Sequence, residues 1–460
     1  MSSPDARTLS AKLLADACGL ATSSSNVESI ARFERAVASL FRSDGEVLTI
    51  IDDALARDPS FAAGHCLRAA ALILGGSDAS TTALAASVSA VESNPEANAR
   101  ERRHAAAARH ALEGNGRRAA RLYDALVRDF PRDRVALLVA HGLDFRLGRR
   151  RRLRNRITAV LPQWRAADRE YGYLLGMQAF GMEETGRYDR ARALAEQSLE
   201  LVPDNASAIH VIAHVLEMRG TPEQGMAWLR RTQPVWSANA GFRVHLAWHL
   251  ALYQFDAGAT ADALATYDTL IAPRLDGTSN GLVDASALLW RLGLNGAGSQ
   301  ARWRTVSRLW QRQRSIGGRA FELVHAVMAL AASHKNALAR ELARRLDDDA
   351  ALRGRSGSAE LKLAGPLVAA ILAFCRGDYD GAVASISTIR AAANRCGGSV
   401  AQCDLIHLTL LEAALRGERR KLARALADER AARKPGSRLN AWLRARASMI
   451  GARIAAARAA

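Results

Sequence analysis

The chain is poor in aromatic residues and in cysteine, and each shortage excludes a class of protein. Aromatic residues make up 5% of the 460 residues, whereas alanine and arginine are abundant, and this composition favours helices over sheets. The five cysteines form no Cys-x-x-Cys pair, which fits reduced thiols in the cytoplasm. No apolar run approaches the ~20 residues of a membrane span. Residues 1–11 lack a basic region followed by an apolar one, so we expect no signal peptide and a cytoplasmic protein.

Motifs of nucleophilic catalysis and of nucleotide binding are also missing. There is no Gly-x-Ser-x-Gly, no glycine-rich phosphate loop and no dinucleotide fingerprint. Cys66 follows His65, but adjacent helical residues point ~100° apart and do not face each other. The Gly-Gly-Ser at 397–399 is predicted to be a helix connector. Hydrolysis through a covalent intermediate is therefore not expected.

The charge is strongly positive, at +18, as in many nucleic-acid binders. The arginines are nevertheless spread along the chain among acidic residues, and no aromatic–basic motif of a nucleic-acid module is present. The one dense run, at 149–152 with Arg154 and Arg156, is predicted to be the solvated start of a helix. We expect no nucleic-acid partner and no membrane partner.

Glycines recur at intervals typical of helical repeats. The steps between them are 34, 38, 34 and 38 residues, and each glycine closes a stretch that is predicted to be helical. The five glycines are Gly114, Gly148, Gly186, Gly220 and Gly258. Glycine permits a tight turn between helices, so the repeat unit is predicted to be a pair of helices that must stack on its neighbours to bury its apolar face.

The predicted fold is all-α: a right-handed α-solenoid of helix pairs, curled around a central groove or pocket. We expect a single domain with N-terminal helices at 1–58, helix-pair repeats at 59–443 and a capping helix at 444–460. Segments 274–281, 293–301 and 347–358 are rich in Gly, Ser and Asp, which predicts loops.

Seven of the eleven histidines fall on one side of the first helix of a pair. The offsets before the closing glycine share about a third of the helix circumference, at ~100° per residue. His65, His104, His210 and His407 precede a glycine by ten residues, His214 by six, and His245 and His249 by thirteen and nine. Stacked repeats would therefore line one surface with imidazoles.

Several segments resemble the tetratricopeptide repeat, with Gly-x-Tyr-x-x-Ala in GRYDRA (186–191) and GDYDGA (377–382). More specifically, the chain resembles the tetratricopeptide repeat protein 38 family. The matching segments are YGYLLGMQAFGMEETGRYDRA (171–191), IHVIAHVLEM (209–218), VHLAWHLALY (244–253), LVDASALLWRL (282–292) and GGSVAQCDL (397–405).

The resemblance implies a fold but no general activity. In tetratricopeptide repeats the first helix lines the concave groove, so offsets of ten, six and three before the glycine would face it. Two departures alter groups near that groove. The family commonly shows His-Asp where this chain has His141-Gly142, and Phe-Asn-Asp-x-His where it has Phe321-Glu322-Leu323-Val324-His325.

The candidate site combines imidazoles, carboxylates and aromatic rings. His-x-x-x-His-x-x-Glu on one helix places three side chains on one face, and the next first helix repeats the histidine pair. The candidate catalytic residues, which are also the candidate metal ligands, are His210, His214, Glu217, His245 and His249. The candidate ligand-binding residues are His65, His104, His141, Tyr173, Phe180, Glu183, Trp248, Tyr253, Asp284, His325, Gln402 and Asp404.

Three interpretations of this set remain open. Imidazoles spaced i, i+4 with a carboxylate can bind a divalent metal such as Zn²⁺, Fe²⁺ or Ni²⁺, although no His-Glu-x-x-His motif is present. Neighbouring imidazoles in a half-buried groove could instead perform acid–base catalysis without a metal. They could also be packed, hydrogen-bonded groove residues with no chemical role.

The predicted function is a pocket that binds a small molecule and catalyses acid–base or metal-assisted chemistry on it. The alternative is a scaffold without enzymatic activity, whose groove binds a peptide or a partner protein. Peptide-binding grooves of this class favour Asn, Lys and Arg clamps, whereas histidines and aromatic residues dominate here.

Overall fold

The structure is a computed structural model that describes residues 14–75, 80–275, 278–313, 320–352 and 359–459. Within them the chain is helical, with no strand and one isolated bridge between Ala15 and Ala21. The predicted all-α solenoid of helix pairs is confirmed. None of the helices described is long and apolar enough to cross a bilayer.

The α-helices follow one another with short connections. Their bounds are α1 Val27–Arg42, α2 Val47–Arg57, α3 Ala62–Gly75, α4 Ser80–Glu92, α5 Ala99–Leu112, α6 Gly116–Asp129, α7 Arg134–Arg146, α8 Arg150–Val160, α9 Tyr171–Glu183, α10 Tyr188–Leu201, α11 Ala206–Arg219, α12 Pro222–Arg231, α13 Gln233–Ala238, α14 Arg243–Asp256, α15 Thr260–Thr266, α16 Ser279–Leu294, α17 Gln300–Arg312, α18 Ala320–Ala332, α19 Asn336–Leu352, α20 Ala359–Cys375, α21 Tyr379–Ile389, α22 Val400–Arg416, α23 Arg420–Arg433 and α24 Arg438–Ala459.

Local chemistry sets the ends of these helices. At α11 the Asn205 side chain accepts hydrogen bonds from the backbone N–H groups of Ser207 and Ala208, and Gly220 ends the helix with φ +68°. A left-handed residue at this position suits glycine, which lacks a Cβ. All five repeating glycines have positive φ, so the 34- and 38-residue spacing marks real helix ends.

Two predicted loops are partly helical. α16 begins at Ser279, inside the segment 274–281, and α19 extends to Leu352, inside 347–358. Helix-forming Ala and Leu outweigh the three aspartates at 347–349; residues 353–358 lie outside the described residues. The predicted loop at 293–301 is shorter, since α16 ends at Leu294 and α17 begins at Gln300.

The contacts divide the chain into two compact units. Unit 1 comprises residues 1–143 and 162–164, and unit 2 comprises 144–161 and 165–460. A single domain therefore stays a prediction. In unit 1 neighbouring helices pack in sequence from α1 to α6.

Unit 2 also packs helices that are far apart in the chain. Its first-of-pair helices α9, α11, α14 and α16 pack side by side. α22 contacts α16 and α11, and α24 contacts α14. The C-terminal helices of unit 2 therefore cover the inner face of its central repeats, where the candidate site was predicted.

Candidate functional site

Two neighbouring helices of unit 2 carry four histidines. His210 and His214 lie one turn apart on α11, and His245 and His249 lie one turn apart on α14. Because residues at i and i+4 share a helix face, each helix presents its pair to the other. One nitrogen from each of the four rings lies within 4.8 Å of the others, so the structure brings these four predicted residues together. We call them the histidine cluster.

Three of the four rings direct Nδ1 outward at a carboxylate. The contacts are His245 Nδ1 with Asp284 Oδ2 at 2.7 Å, His249 Nδ1 with Glu217 Oε2 at 3.0 Å, and His214 Nδ1 with Glu183 Oε2 at 3.2 Å. The first two are hydrogen bonds in which the ring N–H donates. A carboxylate behind a histidine fixes the ring and its tautomer, which is the usual arrangement around a metal ion.

The Nε2 atoms are left on the inner side of the cluster. Nε2 of His245 and Nε2 of His210 lie 3.0 Å apart. Nε2 of His214 and Nε2 of His249 are buried without a hydrogen-bond partner. Four nitrogens bound to a tetrahedral ion at about 2.0 Å would be separated by about 3.3 Å, so small ring movements would complete such a site. Without an ion, each unsatisfied buried polar atom costs about 1–3 kcal/mol.

Burial keeps three rings of the cluster neutral. It lowers the pKa of His214 to about 4 and holds the pKa values of His210 and His249 well below 6.5, with the neighbouring imidazoles adding to the effect. A metal ligand must be a neutral imidazole, so these rings are already in the required form at pH 7.

Aromatic rings pack against the cluster. Trp248 stacks on His245 with ring centroids 5.3 Å apart and an angle of 15°. Phe180 packs against His210 and His214 at 5.9 and 6.0 Å.

The cluster lies beneath the C-terminal helices rather than in a half-buried groove, which corrects the sequence prediction. Gln402 on α22 donates from Nε2 to Asp284 Oδ1 at 3.1 Å. Lys434, after α23, places Nζ 3.4 Å from Glu217 Oε1. His214 and His249 are fully buried, and only His245 keeps appreciable exposure, at 20% of its side chain. The glycine register could not reveal this cover, because it contains no information about contacts between distant repeats.

Four other candidate residues of unit 2 have different surroundings. The Tyr253 hydroxyl donates to the Ala213 carbonyl. Asp404 accepts two hydrogen bonds from Arg430, at 2.7 and 3.0 Å. His325 Nδ1 donates to the Phe321 carbonyl at 2.7 Å. Tyr173 lies at the opposite end of α9 from Glu183. These contacts indicate packing and hydrogen-bonding roles outside the cluster.

Three predicted ligand-binding histidines belong to unit 1 and are not part of the histidine cluster. His65 Nε2 donates to the Pro59 carbonyl at 2.9 Å. His104 Nε2 donates to Asp133 Oδ2 at 2.9 Å. His141 lies half-buried on α7. The shared offset of ten residues before a glycine grouped His65 and His104 with the cluster histidines. Such an offset specifies which face of a helix a residue lies on, but it does not specify which repeat the helix belongs to.

Sequence reasoning missed a buried carboxylate beside the cluster. Glu184 follows Glu183 at the end of α9, and its Oε1 accepts from the Val400 N–H at 3.2 Å while Oε2 lies 3.0 Å from Arg150 Nε. Adjacent helical residues point ~100° apart, so the offset count passed over it. Two arginines of the basic run also have buried acidic partners, since Arg150 contacts Glu184 and Arg156 pairs with Asp144. The basic run is therefore not simply solvated.

No family model matches this chain. A crystal structure of a Rap protein complexed with Competence and Sporulation Factor is similar over 70% of this chain and 94% of that chain, with 12% identity and a TM-score of 0.42. A crystal structure of the P58(IPK) TPR domain is similar over 85% of this chain and 99% of that chain, with 13% identity and a TM-score of 0.20. Similarity at this level carries no argument about function. The evidence for helical repeats is the series of helix pairs in this structure. Membership of the tetratricopeptide repeat protein 38 family stays a prediction.

Proposed function

We propose that this protein binds a divalent transition metal ion at the histidine cluster, and that the ion assists chemistry on a small molecule that approaches past His245. The observation that carries the proposal is the convergence of four imidazoles, three of them backed by carboxylates. Neutral nitrogen ligands without thiolates suit Zn²⁺, Fe²⁺ or Ni²⁺.

The charges behind the rings support a cation. Of the three carboxylates, Glu217 lies 3.4 Å from Lys434, while Asp284 accepts from the uncharged amide of Gln402. Glu183 is fully buried, and its one described polar contact is the His214 ring. Buried carboxylates are costly unless a positive charge balances them. A divalent ion between the rings would supply that charge.

The second candidate function is a scaffold that binds a peptide or a partner protein. The helical-repeat architecture favours it, because stacked helix pairs build extended binding surfaces, and the fold by itself supports this function better than catalysis on a small molecule. The packing within unit 2 favours the metal proposal. Because α22 already packs against α11 and α16, less of that face is left for a peptide to bind.

Zinc titration of the untagged, chelator-treated protein tests the proposal. We expect saturable binding of at least one equivalent, and we expect a variant with both His210→Ala and His249→Ala to bind one equivalent fewer, because two of the four ligands of the cluster are gone. His334→Asn is the matched control: His334 is exposed in unit 2 with φ +61°, which asparagine tolerates. It should bind zinc like the wild type.

An absence of saturable binding, or equal binding by the double variant, would contradict the metal proposal and leave the scaffold as the better account. Circular dichroism of the double variant separates loss of ligands from loss of fold, since the helical signal should persist.

A further inference from the structure

The end of α9 combines two buried carboxylates with the outer nitrogen of a cluster histidine. Glu183, Glu184 and His214 each offer one ligand atom, and these atoms lie within 4.8 Å of one another. All three side chains are buried, with Glu183 and His214 fully so. This group is distinct from the inner face of the histidine cluster, because it uses the opposite side of the His214 ring.

The C-terminal end of α9 is an unfavourable position for two carboxylates. The C-terminus of an α-helix carries a partial negative charge, so acidic groups are destabilising and cations are favourable at this position. α9 ends at Glu183, and Glu184 follows as its capping residue. Burial strengthens the effect, because water no longer screens the charges. The sequence therefore places two acidic side chains at a helix end where a cation would be stabilising.

Partners already present satisfy only one of the two carboxylates. Glu184 has Arg150 at 3.0 Å and the Val400 N–H at 3.2 Å. Glu183 has neither oxygen in a hydrogen bond, and His214 Nδ1, 3.2 Å away, is also buried without one. Two unsatisfied ligand atoms thus face each other in a space closed to solvent.

We propose that Glu183, Glu184 and His214 Nδ1 bind a second divalent cation, which makes the site a two-metal centre joined through the His214 ring. Two carboxylates and one imidazole accept Zn²⁺, Mn²⁺ or Fe²⁺. With both ring nitrogens bound to ions, His214 gives its ring proton to solvent and becomes an imidazolate. The inference rests on the proposed function for the first ion, which takes Nε2 of the same ring.

Zinc stoichiometry of four variants tests the sharing. We expect two equivalents in the wild type. Glu183→Gln should retain one, because the amide cannot replace the carboxylate charge. His249→Ala should also retain one, since it removes a ligand of the first ion alone. His214→Ala should weaken both sites at least tenfold. Glu200→Gln, at an exposed position on α10, is the matched control and should keep two.

The outcomes separate the two proposals. One equivalent in the wild type, unchanged by Glu183→Gln, would overturn the second site and leave the first. Two equivalents that Glu183→Gln leaves unchanged would place the second ion elsewhere and overturn the inference. No binding in the wild type would overturn both. Loss of zinc through Glu183→Gln but not through His249→Ala would support the carboxylate site and contradict the first. Glu184→Gln, with the helical signal as a folding check, repeats the test should Glu183→Gln fail to fold.

Discussion

His104 in unit 1 and His210 in unit 2 begin from the same sequence signal and end in opposite environments. Each lies ten residues before the glycine that follows its helix, and each is buried. His104 donates to Asp133, which also accepts from Arg100 Nη1 at 2.8 Å and from the Ala136 N–H at 2.9 Å. One imidazole, one carboxylate and one guanidinium there form a network with balanced charges, although His104 Nδ1 is buried without a hydrogen-bond partner.

His210 instead meets three further imidazoles. His214 is four residues further along α11, and His245 lies across from it on α14, whereas the residue four positions after His104 is Ala108. The difference teaches that a buried histidine on the inner helix face is not in itself a site. A functional assignment depends on whether several rings converge and on whether the charges around them are already balanced.

The largest expected effect comes from breaking the balanced network. Asp133→Ala should cost about 3–5 kcal/mol of unfolding free energy, because it leaves the Arg100 charge buried and unpaired. Hydrogen exchange should locate the loss in α5 and the start of α7, and zinc binding should be unchanged. Asp129→Ala, at an exposed ion pair with Arg103, is the control and should cost within about 1 kcal/mol. Loss of zinc binding in Asp133→Ala would erase the distinction between the two clusters.

Zinc should stabilise unit 2 and not unit 1. At a free concentration of 1,000 Kd, a ligand of the folded state adds about 4 kcal/mol. We therefore expect slower hydrogen exchange in α11 and α14 on zinc addition, with no change in α5. Slowing of exchange in α5 to the same degree would show that zinc binding does not distinguish the clusters.

A single substitution in the histidine cluster should have a moderate structural cost. We expect His249→Ala to change the stability of the metal-free protein by ~0.5–3 kcal/mol with its helical content intact, and to abolish the zinc effect on α14. His210→Ala should behave alike. Unfolding of both variants in the absence of metal would show that the histidines are structural.

The smallest effect is a difference in acid sensitivity between the clusters of the metal-free protein. Burial lowers the pKa values of His210, His214 and His249, so their contribution is complete above pH ~6.5 and is lost as the pH falls toward 4. Burial would raise the pKa of Asp133, but His104 and Arg100 outweigh it and lower that pKa. Its contribution is therefore lost only below pH ~4.

Burial raises the pKa values of Glu183 and Glu184 to about 8 and about 7. Their protonated forms contribute stability that is lost as the pH rises through those values, which opposes the histidines. Because three imidazoles outnumber two carboxyls, we expect protection in α11 and α14 to fall between pH 6 and 4.5 while protection in α5 holds. Equal losses in the two units would contradict the assigned causes.

Much of the fold could be predicted from the sequence, because helix ends have strong local sequence signals. The glycine spacing predicted the ends of α5, α7, α9, α11 and α14, and all five glycines adopt the left-handed conformation that such ends require. The i, i+4 spacing predicted which histidines share a helix face. Both inferences depend only on residues close in the chain.

The surroundings of the cluster could not be predicted from the sequence, because they depend on residues that are far apart in the chain. The cover by Gln402 and Lys434 joins positions more than a hundred residues from the groups they contact. His65 and His104 belong to unit 1, and an offset from a glycine does not encode which unit a residue belongs to. Glu184 was missed because its role comes from the turn after α9 rather than from the helix face.

Anomalous scattering from crystals of the untagged protein, grown without added metal, tests the central claim most directly. We expect a peak between α11 and α14, about 2.0–2.1 Å from the Nε2 atoms of His210, His214, His245 and His249, with an absorption edge that identifies the element. The absence of a peak there, with the four Nε2 atoms hydrogen-bonded to one another or to ordered water, would contradict the account.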